Sequence, residues 1–486
     1  MVRSAQSTRF GALIIGALLT FSLVRLVGVT VDASLHGLQM DYSAFYTAGR
    51  AVNAGLSPYV NHVDHVPPIW DGISEYRHSR FLYPPLVATL IAPLARLPFP
   101  VSKVLWSILS VVSILAAVLL SARHLKLPSW QVALIVSLVG MFHPFLTEIE
   151  RGQIDGIILF LLTSAIVAFA RGRTVPDIAA GVLLACATLL KLHCVFFVPF
   201  LLLRRKWHAL TGFAAGALLL MAASLWLNGP QQVHDYLFQE LPRISRHGEG
   251  GDSTMRLAGR TVESIREGAA EGMASGQGQG YLKELFSFRT NASLVRVADF
   301  LLSEAGMAQP NPAVTSGLIL LSLILILWMY HRPFLLARSL PIRADFVYWQ
   351  IVLVVILISG PMTWAMNLVW FVVTAVIAVS GVAAFLNDRR SSRGETISLF
   401  LLVLGLAVAA MPDDRSFSMW LPLASPLFAV KYTVAELLVF GGLVGYTRQF
   451  EMDALGQGDV NGSGAPSVAW PPLGSLPVEI APDGRP

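Results

Sequence analysis

The chain has 486 residues, of which 55% are hydrophobic and only 13% charged. Soluble domains carry about 25% charged residues, so this composition excludes an ordinary soluble protein and points to a polytopic membrane protein. The net charge of +5 is then a signal of membrane orientation and lipid contact, with no nucleic-acid partner implied.

Arg3 and Arg9 precede the apolar run Phe10–Val31. That run is too long for a signal-peptide core and lacks a clear cleavage site, so it predicts an uncleaved first span. The stretch Met40 to Tyr59 follows directly. Tyr42, Phe45, Tyr46, Val52 and Leu56 recur at roughly helical spacing and predict an amphipathic helix over Tyr42–Ala54, stopped by Gly55 and Ser57-Pro58. Asp41 stands at its start. Two roles are open to it: a helix N-cap at the positive end of the dipole, or a general base beside the membrane.

Pro84, Pro85 and Pro93 make Tyr83–Pro98 an interfacial helix rather than a span. Further apolar runs fall at Val101–Ala122, Trp130–Leu146, Ile154–Ala170, Ile178–Leu203, Ala209–Leu227, Ala313–Tyr330, Phe346–Gly360, Asn367–Leu386, Ile397–Met411 and Leu421–Tyr446. Ile178–Leu203 carries Lys191 and His193 at its middle. It reads as two short helices meeting at Lys191, because a charge is costly in mid-bilayer and cheap at a surface. About twelve spans result. Val233–Leu241 and Tyr281–Phe288 read as short amphipathic helices flanking a polar, glycine-rich middle. The chain divides into a membrane domain, 1–450, and a Gly-, Pro- and Ser-rich tail, 451–486, expected to be unstructured. Cys186 and Cys194 lie in or beside apolar runs and read as structural thiols.

Lysine and arginine then orient the chain. Arg123/Lys126, Arg171/Arg173, Arg204/Arg205/Lys206, Arg332/Arg338/Arg343 and Arg389/Arg390/Arg393 all fall on the side of the N-terminus, expected to be cytoplasmic. The other side receives short loops and two long segments, Asp32–Pro100 and Asn228–Pro312. The expectation is an inner or plasma membrane protein with both termini cytoplasmic.

The unusual polar residues collect on the extracytoplasmic side. They are Asp41, then Glu148, Glu150, Arg151, Gln153 and Asp155, then Lys191 and His193, and finally Trp364 and Asn367. Singly, each has an ordinary account: Glu150 and Arg151 form a solvated pair, and Lys191 snorkels to lipid phosphates. Together, ionisable residues at membrane level indicate a functional site. A carboxylate there can take a proton from a hydroxyl. A lysine and a histidine nearby can hold a phosphate as it leaves. A groove between helices can hold a long lipid. This set suits glycosyl transfer from a lipid-phosphate sugar, and no phosphate-binding loop of the cytosolic nucleotide kind is present.

The residues in order also resemble a known family. Asp41-Tyr42-Ser43-Ala44-Phe45-Tyr46 with Gly55-Leu56-Ser57-Pro58-Tyr59 is similar to the D-(F/Y)-x-x-(F/Y)-(Y/W)…G-x-x-P-Y signature of bacterial C-type (GT-C) glycosyltransferases. The nearest kinds are polyprenol-phosphate-mannose-dependent α-mannosyltransferases and their arabinofuranosyltransferase relatives. Tyr83-Pro84-Pro85-Leu86 matches the family's Y-P-P-L, and Gly152-Gln153 its G-Q. Gly181 through Lys191, then Arg204-Arg205-Lys206-Trp207, resemble its glycine-to-lysine hairpin and basic exit. Asn291-Ala292-Ser293-Leu294 resembles its N-Q-S-L and Pro361-Met362-Thr363-Trp364 its S-P-x-S-W. Ala365-Met366-Asn367 follows that tryptophan where the family usually has histidine.

The resemblance implies an all-α GT-C fold with an extracytoplasmic site. It implies Asp41 as catalytic base and Lys191 near the donor phosphate. Arg151, Gln153, Tyr83, His193, Asn291, Trp364 and Asn367 complete the expected substrate-binding set. The expected partners are membrane lipid, a polyprenyl-phosphate donor whose expected sugar is mannose, and a glycolipid or glycan acceptor. No obligatory cofactor and no metal are implied. The alternatives are arabinofuranosyl transfer by the same chemistry, or a transporter of lipid-linked saccharide in which these residues only bind. Transporters more often show internal repeats, and the sequence has none.

Overall fold

In a computed structural model the protein is described at residues 2–37, 39–59, 81–242, 342–360, 363–387, 392–412 and 430–460, and at Leu294, Gly317, Leu320, Leu321 and Ile324. Among these residues the regular elements are all helical, as expected for an all-α membrane fold. Helix α1 is Val2–Leu35, α2 Met40–Asn53, α3 Pro85–Ile91, α4 Phe99–His124, α5 Ser129–Met141, α6 His143–Arg151, α7 Asp155–Phe169 and α8 Thr174–Leu190. Helix α9 is Phe197–Leu203, α10 Trp207–Asp235, α11 Ile342–Ser359, α12 Phe371–Asn387, α13 Arg393–Ala410 and α14 Lys431–Val460.

Large apolar side chains face outward along the long helices. Leu13 is 71% exposed, Leu218 71% and Trp226 84%. Water would penalise such a surface and lipid would not. Five described helices are long and apolar enough to cross a bilayer: Phe10–Leu35, Phe99–His124, Trp207–Glu240, Ala365–Leu386 and Arg393–Ala410. A sixth is added if α5 and α6, bent by 55°, count as one. Shorter apolar helices, α7 and α8 among them, fill the interior. The run Ala313–Tyr330, apart from four positions, and the start of Leu421–Tyr446 lie outside the described residues, as do Tyr281–Phe288 and Asn291.

Three expectations need correction. Trp130–Leu146 is not one straight helix: Phe142 takes an extended backbone (ψ 116) and the chain turns into α6. Pro144 sits in the first turn of α6, where a missing N–H costs nothing. Val233–Leu241 is not separate either. It continues α10 past a kink at Gly229 (φ 78, ψ 161) and passes into a π-helical turn, Tyr236–Glu240. Finally, α14 runs on to Val460, past Glu451, where composition predicted an unstructured tail. Glu451, Met452, Ala454 and Leu455 are good helix formers and carry the extension.

The break at Lys191 is where the sequence placed it. Lys191 caps α8 in an extended conformation (φ −149, ψ 105), a 3-10 turn covers Leu192–Phe196, and α9 returns. Helix α8 lies so close to α10 that a Cβ on Gly181 would stand 1.9 Å from the Ala209 carbonyl oxygen. One on Gly212 would stand 2.2 Å from that of Ile178. Small residues serve this purpose in lipid, where van der Waals contact holds helices together.

The polar residues sort to opposite ends of the α7–α8 hairpin. At one end Arg204 Nη2 pairs with Asp345 at 2.5 Å, and Lys206 Nζ lies 3.5 Å from Asp177. At the other end, across the 15 residues of α7, or about 22 Å at helical rise, stand Asp155 and Lys191.

Candidate active site

The site is built on the start of α2. Gln39 precedes the helix in a left-handed conformation (φ 45, ψ 60) and makes no side-chain cap. Asp41 is therefore not the N-cap; it lies inside the first turn, and its carboxylate turns to another helix. Arg151 Nε donates to Asp41 Oδ2 at 2.6 Å and Nη2 donates to Oδ1 at 3.2 Å. This two-point geometry fixes the plane of both groups. The Asp41 side chain is 11% exposed and that of Arg151 32%.

The aromatic face of α2 anchors it. The Tyr42 ring stacks on Trp106 with centroids 4.9 Å apart, and its hydroxyl hydrogen-bonds Ser102. At the far end, the Leu56 N–H reaches the Ala51 carbonyl and that of Gly55 reaches Val52, with Gly55 at φ +71. This is the glycine stop that the sequence predicted. Arg151 ends α6 in the same way. Gly152 takes φ +69, and the N–H groups of Gly152 and Gln153 cap the Ile149 and Glu148 carbonyls. The Gly152 carbonyl accepts from Trp106 Nε1 at 2.9 Å. One indole thus ties the α6 turn to the ring that holds Asp41's neighbour.

Asp155, the first residue of α7, is wholly buried. It accepts Lys191 Nζ on both oxygens, at 2.6 and 2.8 Å, and Asn367 Nδ2 on Oδ2 at 2.9 Å. Its backbone carbonyl takes Trp370 Nε1 at 3.3 Å. Asn367 in turn accepts the Trp364 N–H at 2.7 Å, which starts the 3-10 turn Ala365–Trp370. Glu148 is also wholly buried; Oε1 accepts the Gly156 N–H at 2.9 Å, and Oε2 has no hydrogen-bond partner among the described residues. Tyr83 lies within the electrostatic reach of all three carboxylates. Removal from water, then Asp155, Asp41 and Glu148, hold its phenol well above the usual tyrosine range.

Most residues singled out from the sequence therefore converge. Asp41 and Arg151 form one pair. Lys191, with Asn367 and the Trp364 turn, gathers on Asp155. Gln153 is buried in the turn between Arg151 and Asp155. His193 sets its ring edge-on to Trp370 at 5.7 Å, with Nε2 buried and without a hydrogen-bond partner among the described residues. Asn291 lies outside the described residues. Arg151, expected on substrate, pairs with Asp41, and the hub on Asp155 was not assigned a role from sequence. An acid opening an apolar run, opposite a lysine interrupting another, was the signal available.

Residues 81–270, less than half of the chain, match the model of glycosyltransferase family 87. That family is of the GT-C type. It takes in Tyr83, Arg151, Gln153, Asp155, Lys191 and His193; Asp41 and Asn367 flank it on either side. The match supports a multi-helix membrane glycosyltransferase, in line with the resemblance read from the sequence. No curated protein matches the chain. Among solved structures the chain is similar to "ArnT from Cupriavidus metallidurans in the apo state", at 11% identity over 88% of this chain and 77% of that one. The TM-score is 0.30.

Proposed function

We propose that this protein moves a sugar, mannose, from a polyprenyl-phosphate donor to a hydroxyl of a lipid or glycan acceptor on the extracytoplasmic face. Asp41 accepts the hydroxyl proton, the oxygen attacks the anomeric carbon, and polyprenyl phosphate leaves. A single displacement inverts the anomeric centre. The observation that carries this reading is the pairing of Asp41 with Arg151 beside the Lys191–Asp155 hub. A carboxylate offers about four lone-pair sites. Arg151 takes two and orients the group. Lys191 has three donors, and its contacts with Asp155 leave one for the departing phosphate. Lys191 Nζ also lies 5.7 Å from the centre of the Trp370 ring, which steadies a cation at a partly desolvated site.

The test is transfer itself. Membranes enriched in the protein, given polyprenyl-phosphate [3H]mannose, are expected to form labelled product in proportion to the protein. Movement of intact donor across the membrane, with no product, would overturn transfer in favour of transport. The sidedness is tested separately. The cation asymmetry supports a cytoplasmic Arg173 and an α6 end outside. Glu150 and Arg173 are both exposed. In a cysteine-free background, Glu150→Cys is expected to label with an impermeant maleimide from outside and Arg173→Cys only after lysis. Labelling of both from one side contradicts the orientation.

A further inference from the structure

Lys191 is the cation assigned above to the donor phosphate, yet it is already matched by a carboxylate. Both Asp155 oxygens lie within 2.8 Å of its Nζ, and the Asp155 side chain is fully buried while that of Lys191 is 18% exposed. The acid cannot turn away to water. Asn367 holds Oδ2, Trp370 holds its carbonyl, and α7 begins at its backbone. The ammonium stands at the break between α8 and the 3-10 turn. An anion approaching Lys191 must therefore share it with a fixed negative charge.

We propose that Asp155 is a resident counter-anion that sets the affinity of this site for phosphate. It occupies Lys191 while the site is empty, and a phosphate takes over part of that ammonium on binding. The inference rests on the reading of Lys191 as the phosphate-binding residue. Two effects follow from the fixed carboxylate: it competes for the ammonium's hydrogens, and it repels the incoming anion. Both hold the affinity down. Both act more strongly on the leaving polyprenyl phosphate, which carries more charge than the diester it came from, and so favour its release.

The sign of the expected effect separates this role from a structural one. Asp155→Asn keeps the size and one acceptor oxygen but removes the charge. In the purified full chain it is expected to bind undecaprenyl phosphate about tenfold more tightly, the scale of one charge-assisted hydrogen bond. Binding of undecaprenol, which lacks the phosphate, is expected to stay unchanged. Damage to the fold would weaken both lipids. Lys191→Met alone is expected to weaken the phosphate and spare the alcohol, and adding Asp155→Asn to it is expected to restore less than the tenfold gain, because only the repulsion is then removed. If Lys191→Met leaves phosphate binding unchanged, the reading of Lys191 fails. If Lys191→Met weakens it while Asp155→Asn weakens it too or leaves it alone, only the counter-anion role fails. Asp155→Ser, which also removes the charge and keeps an oxygen, is the second variant. Failure of both variants to fold assigns Asp155 to holding the helices together and overturns the proposal.

Discussion

Gly152→Ala is expected to disable the protein out of proportion to the single methyl group it adds. Gly152 sits at φ +69 in the turn that ends α6. A residue with a Cβ pays about 1–2 kcal/mol there. The new Cβ would also stand 2.6 Å from the Cβ of Tyr42 and 3.2 Å from that of Gln39, so the start of α2 has to move. Overpacking of this kind adds about 1–3 kcal/mol. The motion separates the two helices that the Asp41–Arg151 pair spans, and it pulls on the Trp106 bond to the Gly152 carbonyl. Both unfolding temperature and transfer are expected to fall, transfer by more than about tenfold, since a misplacement near 1 Å can cost about a hundredfold. Gly55→Ala is the control. Gly55 has φ +71, but nothing among the described residues lies within 4 Å of its would-be Cβ. It should lose only the backbone share and keep most transfer. Equal effects of the two substitutions would show that the α2–α6 contact does not hold the site.

Local features of the fold were legible in the sequence because they depend on local physics. Helix α2 was expected over Tyr42–Ala54 and found over Met40–Asn53, with Gly55 as its stop. Lys191 could not stay inside a continuous apolar helix, and the chain breaks there. Other features depended on what lies across the structure. The apolar run Trp130–Leu146 was read as continuous across His143 and Pro144, so the 55° bend was not visible in it. The apolar run Ala209–Leu227 stops before Gly229-Pro230, yet α10 continues past the kink there.

The site divides along the same line. Each polar residue was conspicuous for being charged or amidated among apolar neighbours. The partnerships were not readable, because Asp41 meets Arg151 across 110 positions and Asp155 meets Asn367 across 212. Periodicity and composition carry no information at that range. The cap reading of Asp41 failed on a single backbone angle: Gln39 is left-handed, which shifts the helix start so that Asp41 falls within the first turn. No residue type around Gln39 announces that angle.

The central claim is that Asp41 takes the acceptor's proton, and Asp41→Asn tests it most directly. Asparagine keeps the size of the side chain and an oxygen that can still accept from Arg151. It cannot accept the proton. Arg151 is 32% exposed, so the charge left behind can be hydrated and the fold should persist. A positioned general base contributes about 10²–10⁴-fold in rate. The measurement is the rate of sugar transfer from polyprenyl-phosphate mannose by the purified variant, alongside its unfolding temperature and its binding of undecaprenyl phosphate. The account predicts an unfolding temperature and lipid binding close to those of the unaltered protein, with transfer reduced by about two to four orders of magnitude. Transfer within a few-fold of the unaltered protein, from a variant that folds and binds lipid, would contradict it.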